Sequence, residues 1–379
     1  MVFYREGTVP VTKREFVEIL IKCCLVIMAL VVVFGNQTFA EGTADDEVLI
    51  HTNKMYLPIV NSIQVADAHP SFMRSYYVET LTGMYSLGCA QGTYAMSVGY
   101  PDFYFMFMDF GNPYRNSSLV LGTKLYDYQT FVTTGQISYY LTIIASGFAD
   151  CNNKDKLFLA AGTNTSGDFL RSIAYDHGYA WAEMVYNANQ SLQSYGIPSS
   201  RVTITSGINT EPGFNSFSDT VQWFDGFNDH PMKTANFIIG SADGCPDDYS
   251  PATPPQGNVY PAECNDGWTQ DDVNKINNGY ITSAAIPMNF LPNGYQASQW
   301  YRIGLYSHYV HNNNIDFFGV MTQEAACEQR EQEDPGACYG MDNSLYFGYQ
   351  QFRTRVVSDS RINGFLLWGA DMKYYRGAP

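Results

Sequence analysis

Short apolar runs alternate with longer amphipathic segments along much of the chain. The runs end in small or polar residues and are apolar on both faces, as expected for strands buried in a parallel sheet. Their alternation with helical segments is typical of repeated β–α units. Seven runs are visible, and Met55–Val65 could hold an eighth. The seven are Phe103–Asp109, Lys156–Thr163, Arg201–Asn209, Thr234–Ala242, Ser283–Phe290, Ile315–Thr322 and Ile362–Trp368.

Three of the intervening segments carry clear helical signals. Phe169–Tyr195 repeats apolar residues at helical spacing and stops before a Gly-Ile-Pro sequence. Thr269 is predicted to be an N-cap, because Asp272 lies three residues later and completes a capping box. Gln296–Val310 also has helical spacing and leads into the next predicted strand.

This order of elements predicts an α/β protein with a TIM-type (β/α) barrel, irregular in places and with disulfide-tethered loops. An open, doubly wound parallel sheet is the alternative. Neither G-x-G-x-x-G nor G-x-x-x-x-G-K-[ST] follows a predicted strand, so we expect no nucleotide and no other cofactor. The one Pro-rich stretch lies between Cys245 and Cys264 and resembles a tethered loop, not a linker. We therefore predict a single barrel domain over residues 41–379.

The first forty residues follow the order of a secretory signal. Basic residues such as Lys13 and Arg14 precede the apolar stretch Cys23–Gly35, and small residues end the segment at Ala40. The stretch is shorter than the roughly 20 residues that span a bilayer. We therefore expect residues 1–40 to be cleaved, giving a secreted or cell-surface protein with no stable membrane insertion. Retention as an anchor is the alternative, because Ile19–Ile21 could lengthen the apolar span.

The cysteine count agrees with export. Of eight cysteines, two lie in the predicted signal and six remain, and an even number in an exported chain indicates disulfides. No C-x-x-C or H-x-x-x-H spacing is present, so we expect no metal site. Proximity in sequence favours Cys245–Cys264 and Cys327–Cys338, which leaves Cys89–Cys151.

Charge and composition narrow the choice of partner. The net charge is −16 and no Lys/Arg cluster occurs, so we expect neither nucleic acid nor an anionic membrane as a partner. The chain has 29 Tyr and 24 Phe together with many amides and hydroxyls. Such surfaces suit neutral polar ligands, and a polysaccharide or other glycan is the predicted partner. An extracellular protein that is simply rich in Tyr and Asn remains the alternative.

Carboxylates end or follow four of the predicted strands: Asp109 is the last residue of its strand, and Glu211, Asp243 and Asp371 come after theirs. In a parallel barrel the C-terminal ends of the strands carry the active site. Glycoside hydrolysis needs one protonated and one ionised carboxyl group. Glu211 is the preferred acid because Pro212 disfavours helix at that position, and Asp109 or Asp243 would be its catalytic partner. Each acid on its own is also a common cap or turn residue.

Other strand-end residues are candidates for substrate binding. Asn164, Asn209, Gln323 and Asp371 could bind sugar hydroxyls, and Trp368 could stack on a pyranose ring. Turn amides and a core indole are the alternatives for these positions.

Several stretches are similar to those of a known family. They are Tyr77–Thr82, Leu87–Cys89, Met108–Gly111, Asn209–Pro212, Gly240–Cys245 and Gly267–Thr269. With them, the chain from about Tyr77 to Trp368 resembles a family of secreted, uncharacterised bacterial proteins with a glycoside-hydrolase-like TIM barrel. The resemblance implies this fold and export, and it places Asp109, Glu211 and Asp243 in the family's motifs.

Two functional hypotheses follow. The first is a secreted glycoside hydrolase that acts on an extracellular or cell-wall polysaccharide, with Glu211 as acid and Asp109 or Asp243 as nucleophile or base. The second is a non-catalytic surface protein on the same barrel, which binds glycan or has a structural role. A second Glu of the kind common in retaining glycosidases is missing, which favours the second hypothesis. The motifs G-x-S-x-G and H-E-x-x-H are absent, so other hydrolase mechanisms are not predicted.

Overall fold

A computed structural model describes residues 73–98, 103–167, 170–247, 262–280, 282–338, 340–357 and 359–377. The predicted signal segment and the possible strand Met55–Val65 lie outside these residues. The described strands are β1 Met73–Val78, β2 Phe103–Asp109, β3 Asn112–Arg115, β4 Leu121–Lys124, β5 Phe131–Thr133, β6 Lys156–Asn164, β7 Val202–Asn209, β8 Asn236–Gly240, β9 Ser283–Pro287, β10 Asp316–Thr322 and β11 Asn363–Tyr375.

Eight of these strands form a closed parallel barrel in the order β1, β2, β6, β7, β8, β9, β10 and β11, with β11 pairing back to β1. The TIM-type barrel is confirmed, and the open doubly wound sheet is wrong. Each of the seven predicted apolar runs contains a barrel strand. The eighth strand is β1, whose mixed sequence Met-Arg-Ser-Tyr-Tyr-Val does not form a continuous apolar run.

Helices follow the barrel strands on its outer side. The described helices are α1 Met84–Val98, α2 Thr134–Cys151, α3 Leu170–Ser194, α4 Phe217–Asp229, α5 Gln270–Asn278, α6 Tyr295–His311, α7 Glu324–Glu331 and α8 Leu345–Val356. The predicted capping box of α5 is confirmed: the Thr269 hydroxyl accepts from Asp272 N, and Asp272 Oδ2 accepts from Thr269 N at 2.8 Å. Among the described helices, none combines the length and apolar composition that a membrane crossing needs.

Phe107 fills the centre of the barrel. A Cβ added to Gly162 of β6 or to Gly207 of β7 would lie 2.3 Å from its ring, so both strands need glycine at this level. Because side chains alternate between the two faces of a strand, these contacts show which positions of β2, β6 and β7 point inward.

A small antiparallel sheet of β3, β4 and β5 is inserted between β2 and α2. His177 of α3 holds this sheet to the helical layer. Its Nδ1 accepts from Trp223 Nε1 at 3.0 Å, so Nε2 carries the proton and donates to Gly122 O at 3.0 Å. The sheet also reaches the barrel, because Tyr126 N donates to Val78 O at 2.9 Å.

Three disulfides tie the loops and helices, and all three predicted pairs are confirmed. Cys89–Cys151 joins α1 to α2, Cys327–Cys338 joins α7 to the loop that follows it, and Cys245–Cys264 closes the segment between β8 and α5.

Candidate functional site

The C-terminal ends of the barrel strands, called the barrel mouth below, carry three neighbouring polar side chains. Asp109, Asn164 and Asn209 each lie two residues beyond an inward position marked by Phe107, Gly162 or Gly207. Strand alternation therefore points all three into the mouth. All three are buried in the structure.

Asp109 is held by two hydrogen bonds. Its Oδ1 accepts from Gly111 N at 2.9 Å, and its Oδ2 accepts from the Tyr126 hydroxyl at 2.8 Å. Gly111 has φ +86°, and a Cβ there would lie 2.1 Å from Lys124 O, so this turn requires glycine. Burial raises the pKa of Asp109 to about 7, although the two hydrogen bonds act in the opposite direction.

Asn164 connects the inserted sheet to the barrel. Its Nδ2 donates to the Tyr126 hydroxyl at 3.1 Å and to Asn112 Oδ1 at 2.9 Å. Its oxygen accepts from Ser166 N and Oγ. Because both ends of the amide are engaged, Asn164 positions Tyr126 above Asp109 in this structure.

Asn209 differs from Asn164. It is 4 % exposed, and its Oδ1 has no hydrogen-bond partner among the described residues. Buried side-chain oxygens nearly always have a partner. An acceptor of this kind inside the mouth suits a ligand hydroxyl, and substrate binding by Asn209 stays a prediction.

Glu211 lies just beyond the end of β7 and is 7 % exposed. Its Oε2 accepts from Ser241 Oγ at 2.9 Å. Burial raises the pKa of Glu211 to about 7, and the negative charge of Asp243 adds to the effect. Position 240 requires glycine, because a Cβ there would lie 2.0 Å from Thr210 O and 3.3 Å from Glu211 Cγ.

Asp243 follows β8 and is less buried than Glu211. Its Oδ1 accepts from Gln296 Nε2 at 3.3 Å, and its backbone oxygen accepts from Asn265 N at 3.0 Å. The Cys245–Cys264 disulfide fixes the same segment. These contacts fix Asp243 just beyond the end of β8.

The charges of Asp109 and Glu211 both act on the pKa of Tyr77, a residue of β1. It is level with Asp109 in the β1–β2 register and is buried. Burial raises the pKa of Tyr77 well above its usual range, and the charges of Asp109 and Glu211 raise it further. The ring lies 4.5 Å from that of Tyr126, and the hydroxyl donates to Gln323 Oε1 at 3.4 Å. Asp109 and Gln323 are therefore neighbours of one tyrosine, whose pKa the charge of Glu211 also raises.

The structure places Asp371 away from this group. Its neighbours Ala370 and Met372 belong to the barrel interior, so Asp371 lies on the outer face of β11. Its Oδ2 accepts from Ala325 N at 2.8 Å and its Oδ1 from Thr322 Oγ1 at 2.9 Å, which anchors the start of α7. Trp368 lies in β11, but its side chain is outside the described part of the structure.

Sequence reasoning missed Tyr77, Tyr126, Ser241 and Gln296 as members of the site. Tyr77 and Ser241 do lie in the stretches that carry the family resemblance, which was an available signal. Tyr126 and Gln296 had none, because each reaches the mouth from a segment outside the barrel strands.

No protein-family model, curated protein or solved structure matches this chain. Within the residues that the structure describes, no group of three or more His, Cys, Asp or Glu could hold a metal ion. The functional argument therefore depends on the barrel and on the chemistry of its mouth.

Proposed function

We propose that the protein is a secreted glycoside-hydrolase-like enzyme that acts on an extracellular or cell-wall polysaccharide through paired carboxylates. The observation that carries the proposal is buried Glu211 at the barrel mouth, whose pKa is raised to about 7 by burial and by the charge of Asp243, with Asp109, also raised to about 7, at the same mouth. Near neutral pH such groups exchange protons readily, as general acid–base catalysis requires. Three disulfides agree with an oxidising, extracellular location.

Glu211 is the proposed general acid. Its burial and the nearby charge of Asp243 favour the protonated form, which would donate its proton to the glycosidic oxygen as the sugar C–O bond breaks. Water then supplies the hydroxyl at the anomeric carbon, and its proton passes to the second carboxylate.

Two residues could supply that second carboxylate. Asp243 is only partly buried and can meet a water molecule, whereas both oxygens of Asp109 already accept hydrogen bonds. We therefore favour Asp243 as the base, with Asp109 as the alternative nucleophile or base.

A non-catalytic glycan-binding or structural surface protein is the second candidate. Asp109 is 0 % exposed and Glu211 is 7 % exposed, so both carboxylates are largely covered in this structure. A mouth that keeps its acids covered fits binding at the rim without hydrolysis.

The test is a screen of plant, fungal and bacterial wall polysaccharides for reducing ends released by wild type and by Glu211→Gln. We expect the substitution to lower turnover on the order of 10²- to 10⁴-fold, because the proton donor is lost. Glu183→Gln is the matched control, since Glu183 is exposed on α3. Equal turnover by wild type and Glu211→Gln would refute the role of Glu211, and glycan binding without any cleavage would favour the second candidate.

A further inference from the structure

The β4–β5 turn presents an exposed tyrosine at the edge of the barrel mouth. Tyr128 is 64 % exposed and has φ +58°, a left-handed conformation that is unfavourable for a bulky side chain. Strained residues of this kind concentrate at ligand sites, so the outlier calls for a functional explanation.

The turn that carries Tyr128 is well fixed. Tyr128 N donates to Leu125 O at 2.8 Å, and Leu125 N donates to Thr130 O at 3.0 Å. Asp127 Oδ1 accepts from Gln129 N at 3.1 Å and from Thr130 N at 2.9 Å. The exposed ring is therefore carried by an ordered backbone, so less conformational entropy of the protein is lost when a ligand binds.

Tyr128 is connected to the site through a second tyrosine. Its ring is 6.4 Å from that of Tyr126 in an edge-to-face arrangement, and the Tyr126 hydroxyl donates to Asp109. The Tyr128 hydroxyl is also close enough to affect the ionisation of Tyr374 and Arg330. An exposed aromatic face and a buried carboxyl group are thus separated by one side chain.

We propose that Tyr128 is the stacking platform of a carbohydrate subsite at the rim of the barrel mouth. The proposal rests on the proposed function in taking a glycan as ligand, and it does not require catalysis. A pyranose ring offers an apolar face to an aromatic ring and hydroxyls to amides and carboxyl groups. At the same mouth, Asn209 Oδ1 has no hydrogen-bond partner among the described residues and can accept from a sugar hydroxyl.

The experiment measures depletion of the protein by insoluble cellulose, xylan, chitin, β-glucan and peptidoglycan, followed by calorimetric titration with oligosaccharides of any polysaccharide that binds. The variants are Tyr128→Ala, which removes the ring, and Tyr128→Phe, which keeps it. Tyr195→Ala is the matched control, because Tyr195 is 68 % exposed and follows α3 at the opposite end of the barrel. Thermal unfolding establishes that each variant is folded.

We expect Tyr128→Ala to weaken binding on the order of tenfold, equivalent to about 1.4 kcal/mol, while Tyr128→Phe and Tyr195→Ala bind as wild type does. Binding that is unchanged in Tyr128→Ala would overturn the subsite and leave the proposed function standing. Binding that depends on Tyr128, with no cleavage of any polysaccharide, would support the subsite and refute the catalytic proposal. If wild type binds none of the five polysaccharides, both proposals are wrong.

Discussion

The hydroxyl of Tyr126 lies 2.8 Å from Oδ2 of Asp109 and donates a hydrogen bond to it. A residue of the β4–β5 turn thus contributes to the ionisation of a carboxyl group at the end of a barrel strand. Hydrogen bonds to a carboxylate favour its charged form, so this contact lowers the pKa of Asp109 against the effect of burial.

Tyr126→Phe should therefore raise the pKa of Asp109 further. A hydrogen bond to a charged group contributes about 1.5–3 kcal/mol, which corresponds to a rise of about one unit or more. The pKa can be measured by NMR titration of the ¹³C-labelled Asp side-chain carboxyl groups. Tyr128→Phe, which changes only a hydroxyl at the exposed ring, should leave it unchanged. A pKa that stays the same in Tyr126→Phe would show that this hydrogen bond is not formed in solution.

The raised pKa values make the free energy of unfolding depend on pH. The folded state raises the pKa of Glu211 from its ordinary 4.5 to about 7, so it binds this proton more tightly than the unfolded chain does. The resulting stabilisation is complete below about pH 4 and is lost as the pH rises through 7. The loss is on the order of 3 kcal/mol.

Glu211→Gln should thus match wild type in stability at pH 4 and exceed it at pH 8, as judged by urea unfolding at both values. Glu183→Gln, on the exposed face of α3, is the control variant in the same measurement. An equal pH dependence for Glu211→Gln and wild type would mean that Glu211 is not buried.

His177 has the opposite pH dependence. Burial lowers its pKa to about 4, so its contribution to stability is present above about pH 6.5 and is lost as the pH falls toward 4. His177→Phe leaves Gly122 O and Trp223 Nε1 without their partner and should cost about 2–4 kcal/mol at pH 7. The difference in free energy of unfolding between His177→Phe and wild type should be smaller at pH 4. His308→Phe, at a half-buried histidine, is the control. If His177→Phe lowered the free energy of unfolding as much at pH 4 as at pH 7, the lowered pKa of His177 would be contradicted.

Gly207→Ala should destabilise the barrel through a clash with Phe107. The new Cβ would lie 2.3 Å from the ring, and such overpacking costs about 1–3 kcal/mol. The double variant Gly207→Ala/Phe107→Leu should recover part of the loss, which a double-mutant cycle by denaturant unfolding would measure. Gly135→Ala is the control, since the nearest atom to its Cβ would be 3.9 Å away. Strictly additive effects of the two substitutions would rule out the contact.

The sequence was sufficient to predict the barrel and the positions of Asp109, Glu211 and Asp243, because the end of an apolar run is a local property of the chain. It was not sufficient for Tyr126, since nothing local indicates that the β4–β5 turn folds back over the mouth. Asp371 shows a different limit. The predicted strand stops at Trp368, whereas β11 continues to Tyr375, so Asp371 lies within the strand. The face on which it lies depends on pairing with β10, and that register shifts between Phe317 and Gly319.

The pairing of β1 with β11 sets Tyr77 beside Tyr374, with ring centroids 5.3 Å apart. One wall of the mouth is therefore made of the first and the last of the barrel strands. During synthesis every other strand of the barrel leaves the ribosome before Tyr374 does, so the mouth cannot be complete until β11 has emerged. A chain cut short before β11 would keep Asp109, Glu211 and Asp243 and still lack the wall that closes around them.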